Sequence, residues 1–413
     1  MLFPQTSAPK TPPRVVVTGA GIVTALGVGW KTNAVGFREG RSGARPVSLF
    51  DVSRQRTKVA AEVQMPAQMP VTKLTARQIS RLDRAGQLLL LAAHEAWHQA
   101  GWKSSENLPL VLGTSSGGMN SGEEFYRRVI GNPVSKRRLP TLALTYHSHY
   151  QAGILADAFD FTGPNINISN ACAAGASAIG RAWELIRSGQ AEQVFAGGYD
   201  ALGLLVFSGF DSLQALSTTT CRPFDAHRDG LLLGEGAAML ALETEESARQ
   251  RNAEILGEIA GFGASFDSHH LAQPHPQGAA ALLSMTRACQ SAGIGPEQID
   301  YINAHGTGTL LNDSSEATAI NQWAGARAEN LQVSSTKASV GHLLGGAGAV
   351  EAVVSLMSLR EQWLPPETSI EKVDPICNFP IVQKPMEAKV NTVLSNSFGF
   401  GGVNATLIFR RWA

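Results

Sequence analysis

The chain has 413 residues, 44% hydrophobic and 16% charged, enough for a large buried core built as two or three domain-sized units. Its 34 basic and 34 acidic residues cancel, which argues against a whole-molecule field for nucleic acid. No apolar run reaches the roughly 18 residues of a membrane span, and the 42 glycines follow no short period, so they mark turns and close backbone approaches.

In chain order, residues 1–13 are rich in Pro and Thr without an apolar core, and are expected to form a flexible extension, not a signal peptide. The run Val15-Val16-Val17-Thr18-Gly19-Ala20-Gly21 predicts a buried strand entering a tight turn at its glycines. Further strands are expected at 108–112, 193–196, 255–259, 300–303 and 392–394, with helices at 81–97, 174–186, 279–292 and 346–359. This alternation predicts an α/β protein with helices on both faces of its sheets. The landmarks repeat once. Strand ends at Gly113, Cys172 and Gly197 are followed by a matching series at Asn303, Ser334 and Ser395, predicting duplicated halves over 14–254 and 255–413.

Cys172, Cys221, Cys289 and Cys377 form no CxxC pair and have no His at ligand spacing, so neither a disulfide framework nor a metal site is expected. The expected compartment is a reducing cytoplasm. Cys172 lies in Asn170-Ala171-Cys172-Ala173-Ala174-Gly175, where a strand breaks into a small-residue turn and opens a helix. A helix N-terminus favours an anion, so a lowered thiol pKa is expected there, and its N–H groups suit an oxyanion. The competing reading is a small apolar filler, which suits the other three cysteines. Two histidines stand in Gly-rich stretches after strands: His305 in Asn303-Ala304-His305-Gly306-Thr307, and His342 five residues after Lys337. Imidazoles there could donate to an oxyanion or move a proton, although each alone also reads as structural. His269, His270 and His275 read as loop residues that could border a site.

Taken together, these pieces resemble the condensing enzymes of the thiolase fold, specifically elongating β-ketoacyl-carrier-protein synthases. The resemblance runs from Arg14 to the end. It rests on Val17-Thr18-Gly19-Ala20-Gly21, Asn170-Ala171-Cys172-Ala173, Arg222-Pro223-Phe224-Asp225, Gly234-Glu235-Gly236-Ala237 and Asn303-Ala304-His305-Gly306-Thr307-Gly308-Thr309. It continues through Asn312-Asp313-Ser314-Ser315-Glu316, Ser335-Thr336-Lys337, Gly341-His342-Leu343 and Asn396-Ser397-Phe398-Gly399-Phe400-Gly401-Gly402.

The resemblance implies a five-layered αβαβα fold and a Cys–His–His site. Cys172 would carry an acyl group, and His305 and His342 would bind a malonyl thioester and favour loss of CO2. The backbone N–H groups of Cys172 and Phe400 would hold the oxyanion. Lys337 would orient His342, with Glu316 as a polar anchor; Thr307 and Thr309 would bond the phosphopantetheine arm, and Phe400 would gate the acyl pocket. No tightly bound cofactor is implied, because that arm arrives on the acyl-carrier protein. A homodimer, or a heterodimer with a ketosynthase-like partner, is also implied. The pattern departs from the family at Val403 and in a short 212–222 segment, which leaves fatty-acid and polyketide or polyene pathways both open.

Two basic runs, Arg127, Arg128, Lys136, Arg137 and Arg138, and Lys73, Arg77, Arg81 and Arg84, read either as solvated faces or as docking sites for an acidic carrier. The competing function is a cysteine hydrolase or simple acyltransferase, which a Cys–His pair alone would fit.

Overall fold

The computed structural model describes residues 9, 11–103, 107–131 and 139–412. Strand β1 (Val15–Thr24) is buried along its whole length. The turn expected at Gly19 and Gly21 does not form; the strand runs on through them, with a bulge in its pairing between Val17 and Gly19. Those glycines instead admit helix α1 (Arg84–Ala100): a Cβ on Gly19 would stand 2.1 Å from the Ala96 carbonyl oxygen, and one on Gly21 1.9 Å from that of Ala92. Helix α1 starts at Arg84, later than expected, because the Asp83 carboxylate accepts the Gly86 N–H at 2.8 Å and caps it.

Four more strands carry the main sheet path through the first half: β2 (Leu110–Gly113), β3 (Asn165–Ile168), β4 (Gln193–Asp200) and β5 (Gly236–Thr244). The second half supplies β6 (Gly257–Phe266), β7 (Tyr301–Asn303), β8 (Gln332–Ser334), β9 (Thr392–Phe398) and β10 (Val403–Arg410). The spatial order is β8-β7-β9-β10-β6-β1-β5-β4-β2-β3. Read outward from the centre, one half runs 1-5-4-2-3 and the other 6-10-9-7-8, the same path advanced by five. The directions match as well. The β1/β5, β4/β5, β6/β10 and β9/β10 pairs are antiparallel, and the β2/β4, β2/β3, β7/β9 and β7/β8 pairs are parallel. The halves meet along β1 and β6, where Val15, Val16 and Val17 face Ile259, Glu258 and Gly257.

Between the two sheet halves lie α4 (Ala174–Arg187) and α8 (Ala347–Glu361), each touching strands of both halves. Residues 347–359 of α8 are buried all round, as a central helix must be. The two helices approach closely at Gly175 and Gly348, where added Cβ atoms would meet Ala349 N at 2.9 Å and Ala176 N at 2.7 Å. Outer layers are α1 with α3 (Ser148–Phe159) on one side, and α6 (Ala279–Ala292) with α7 (Leu310–Ala324) on the other. The result is five layers, αβαβα.

Each central helix is entered through a turn with a strained first residue. Ala171 has φ +56° before Cys172-Ala173, and Leu344 has φ +52° before Gly345-Gly346. These turns abut, and they bring the C-terminal ends of the parallel strands to one cleft.

Candidate active site

Cys172 occupies the turn between β3 and α4 and is 7% exposed. Its thiol lies against the backbone N–H groups of Phe400 and Cys172, because Gly399 packs onto the nucleophile turn, where a Cβ would stand 3.3 Å from Cys172 N. The lowered thiol pKa expected from the helix terminus is not found. Burial pushes the thiol up to about 11, opposed by the Lys337 charge and the two N–H groups, with Asp200 adding to the rise.

His305 follows β7, and His342 lies in the segment between β8 and α8. Their rings are 5.3 Å apart and nearly perpendicular, and both line the same pocket as Cys172. The position of His305 is fixed by Glu316 on α7, whose carboxylate accepts the His305 and Gly306 N–H groups at 2.9 and 2.8 Å and the Asn396 amide at 3.1 Å. Burial pushes the Glu316 carboxyl up to about 7 against those donors. His342 is held by its main chain, donating to Leu232 O at 2.6 Å and accepting from Gly234 N at 3.0 Å.

Lys337 does not orient His342 as expected. Its Nζ lies 3.3 Å from His305 Nδ1 and is ion-paired with Glu351 of α8. His342 Nδ1 instead accepts the Leu344 N–H at 3.2 Å. An ammonium and an amide can only donate, so both Nδ1 atoms are acceptors and both hydrogens sit on Nε2. Burial and the Lys337 charge hold both rings well below the usual histidine range, and His342 lowers His305 further. The site thus presents two neutral imidazoles, each with an Nε2–H that no described residue accepts.

Thr307 and Thr309 line the pocket with their hydroxyl oxygens 2.8 Å apart. At the mouth, Phe400 is 44% exposed and stacks on Phe210 of α5 (Leu204–Ser212) at 5.8 Å between ring centroids. His270 and Leu271 border the same pocket, and the two mouth loops are stitched by Gly401 N to Leu271 O and Asp267 N to Gly402 O. His269 and His275 meet edge to face outside the pocket lining. Among the remaining cysteines, Cys221 donates its thiol hydrogen to Thr307 O at 3.2 Å, and Cys289 packs in the second-half core.

The basic runs are less available than their sequence suggests. Arg127 and Arg128, on α2 (Met119–Gly131), pair with Glu123 and Glu124 of the same helix. Arg84 is paired with the buried Glu235, and Lys73 with Asp160. Lys136, Arg137 and Arg138 lie outside the described residues. Sequence reasoning missed Glu351, Asp200 and Phe210; only Glu351 left a signal, as one acid inside an apolar helix.

A duplicated five-layer fold, with a cysteine turn on one half and paired imidazoles on the other, defines a thiolase-like condensing enzyme. Sequence-family models agree: the β-ketoacyl synthase N-terminal domain matches residues 13–248, and its C-terminal domain matches residues 256–371. The chain belongs to the β-ketoacyl synthase family, acyl-transferring condensing enzymes. It is 38% identical to the 3-oxoacyl-[acyl-carrier-protein] synthase 2 of Coxiella burnetii, over 96% of this chain and 98% of the relative. The ishigamide ketosynthase/chain length factor superposes with a TM-score of 0.92 at 31% identity, covering 97% of this chain and 100% of that one. A type II polyketide ketosynthase solved with its acyl-carrier protein, bound to the hexaketide, gives 0.87 at 28% identity, with 97% and 100% covered. No helix among the described residues is long and apolar enough to cross a membrane.

Proposed function

We propose that the chain is a 3-oxoacyl-[acyl-carrier-protein] synthase that extends an acyl chain by decarboxylative condensation on Cys172. The observation carrying this reading is the pair of neutral imidazoles that line the cysteine's pocket with their Nδ1 atoms already engaged. In loading, Cys172 sulfur attacks a carrier-bound acyl thioester, and the carrier's sulfur departs with the thiol proton, so one S–H is exchanged for another. His305 and His342 then donate Nε2–H bonds to the carbonyl oxygen of the malonyl thioester. As the carboxylate leaves as CO2, the enolate charge settles on that oxygen. The enolate carbon attacks acyl-Cys172, the Cys172 and Phe400 N–H groups hold the new oxyanion, and its collapse expels the Cys172 thiolate. A thiol pushed up to about 11 regains its proton readily, which resets the enzyme.

In this scheme Thr307 and Thr309 steady the phosphopantetheine arm, Phe400 gates the acyl pocket, and the chemistry uses no resident cofactor. The carrier protein delivers both thioesters. A ketosynthase-like chain, either a second copy or a Cys-less partner, is the proposed companion. The outer edge of β3 and exposed Tyr126, Ile130 and Leu205 support such a companion. Four free cysteines suit a cytoplasmic enzyme. The hydrolase reading fits poorly, because neither imidazole offers Cys172 a nitrogen acceptor.

The test is intact-mass analysis with acyl- and malonyl-carrier substrates. Cys172→Ala is expected to lose acyl loading, while His305→Ala and His342→Ala load but do not condense. Condensation at the normal rate by Cys172→Ala would overturn the reading.

A further inference from the structure

Asp200, the last residue of β4, is fully buried and takes no part in the steps above. Its carboxylate accepts five hydrogen bonds: Thr114 Oγ1 at 2.7 Å, Ser116 N at 2.8 Å and Ser116 Oγ at 2.6 Å on Oδ1, with Ser115 N at 2.8 Å and Gly345 N at 2.6 Å on Oδ2. Burial pushes the carboxyl up against these donors. An acid proton would have to displace one of them, however, so the ionised form is the one the shell is built for.

The donors come from both halves. Thr114, Ser115 and Ser116 follow β2, whose Gly113 presses on Ala174, the first residue of α4 beyond the nucleophile turn; a Cβ there would lie 2.2 Å from the Ala174 oxygen. Gly345 is the middle of the matching turn in the second half, three residues after His342, and a Cβ on it would stand 2.4 Å from Ser115 N. The same turn supplies the Leu344 N–H that fixes the His342 tautomer. One carboxylate therefore ties the support of the cysteine to the support of an imidazole.

We propose that Asp200 is a positioning residue for the condensation: it locks the Leu344–Gly346 turn, and through it His342, against the seat of Cys172. Its charge also adds to the rise that burial gives the Cys172 thiol. The proposal rests on Cys172 being the nucleophile. Lys337 and Asp200 are the charges bearing on that thiol, with His305 and His342 lining the pocket beside it. Tyr199 also feels the Asp200 charge.

The test measures two rates on folded protein: iodoacetamide alkylation of Cys172 against pH, read by peptide mass, and condensation at saturating substrate. Asp200→Asn removes the charge and sets amide hydrogens against N–H donors. Alkylation below pH 9 is expected to rise about threefold for each unit by which the thiol pKa falls. Condensation kcat is expected to fall at least tenfold, with the KM for acyl loading unchanged. If the amide prevents folding, Asp200→Ser, which leaves room for water among the donors, must show the same divergence. Condensation that keeps its normal kcat, or both rates falling together with the folded fraction, would overturn the proposal. Normal condensation by Cys172→Ala would sink the parent mechanism instead, and alkylation of Cys172 needs no turnover, so the two failures are distinguishable.

Discussion

Lys337 Nζ stands 3.3 Å from His305 Nδ1 and completes an ion pair with Glu351, so one ammonium fixes an imidazole tautomer and neutralises a buried acid. Replacing it with Met frees His305 to shift its hydrogen to Nδ1 and strands Glu351. Malonyl decarboxylation is expected to fall ten- to a hundredfold while acyl loading stays within threefold. The lost pair should cost about 3–5 kcal/mol of stability. A Lys337→Met/Glu351→Gln double variant should regain most of the stability and none of the decarboxylation. Denaturant unfolding and CO2 release check the two arms separately.

Both imidazoles are held well below the ordinary histidine range. A base whose pKa falls on folding binds more protons unfolded, so its contribution to stability is full above ~6.5 and declines as pH drops below that value. The rate consequence is that decarboxylation shows no histidine inflection between pH 8 and 6, read in Glu316→Gln so that the anchoring acid, pushed up to about 7, does not titrate in the same window. A pH–rate profile with an inflection near 6.5 would show ordinary histidines and contradict the site.

Phe210 stacks on Phe400 at the mouth, an aromatic contact worth about 0.5–1.5 kcal/mol beyond area burial. Phe210→Ala is expected to raise the KM for long acyl thioesters up to tenfold and to leave malonyl decarboxylation unchanged. Steady-state kinetics over a chain-length series tests this, and an equal loss across all lengths would show general damage instead.

Arg127 and Arg128 are already partnered by Glu123 and Glu124. Surface pairs are weak and salt-screened, so an acidic carrier can still draw on these arginines. Reversing both to Glu should raise the KM for carrier-bound thioesters three- to tenfold at low salt, less at high salt. Small thioester analogues should be unaffected.

What the sequence made legible follows from how local each signal is. Cys172, His305, His342 and Phe400 announce themselves because each sits in a run of small residues after a strand, and the fold brings those strand ends together. The repeat of landmarks is legible for the same reason, and the ten-strand path obeys it. Gly19 and Gly21 mislead, because glycine reads as punctuation while its purpose here is to let α1 lie on a continuous strand. The partner of Lys337 could not be read from spacing, since only the ring directions separate His305 from His342. Asp200 is invisible because its donors stand 84, 85, 86 and 145 positions away. The raised Cys172 thiol is a matter of depth, which outweighs the turn's electrostatics and cannot be seen until the chain is folded.

The two matching turns carry unequal cargo: the first half holds the thiol at Cys172, while the second has Gly345 at that place and contributes both imidazoles. Neither lobe can therefore run any part of the cycle that needs the other's groups. Cutting the connection between β5 and β6 should yield two inert pieces whose activity returns only on mixing, so turnover would act as a direct gauge of lobe-to-lobe assembly.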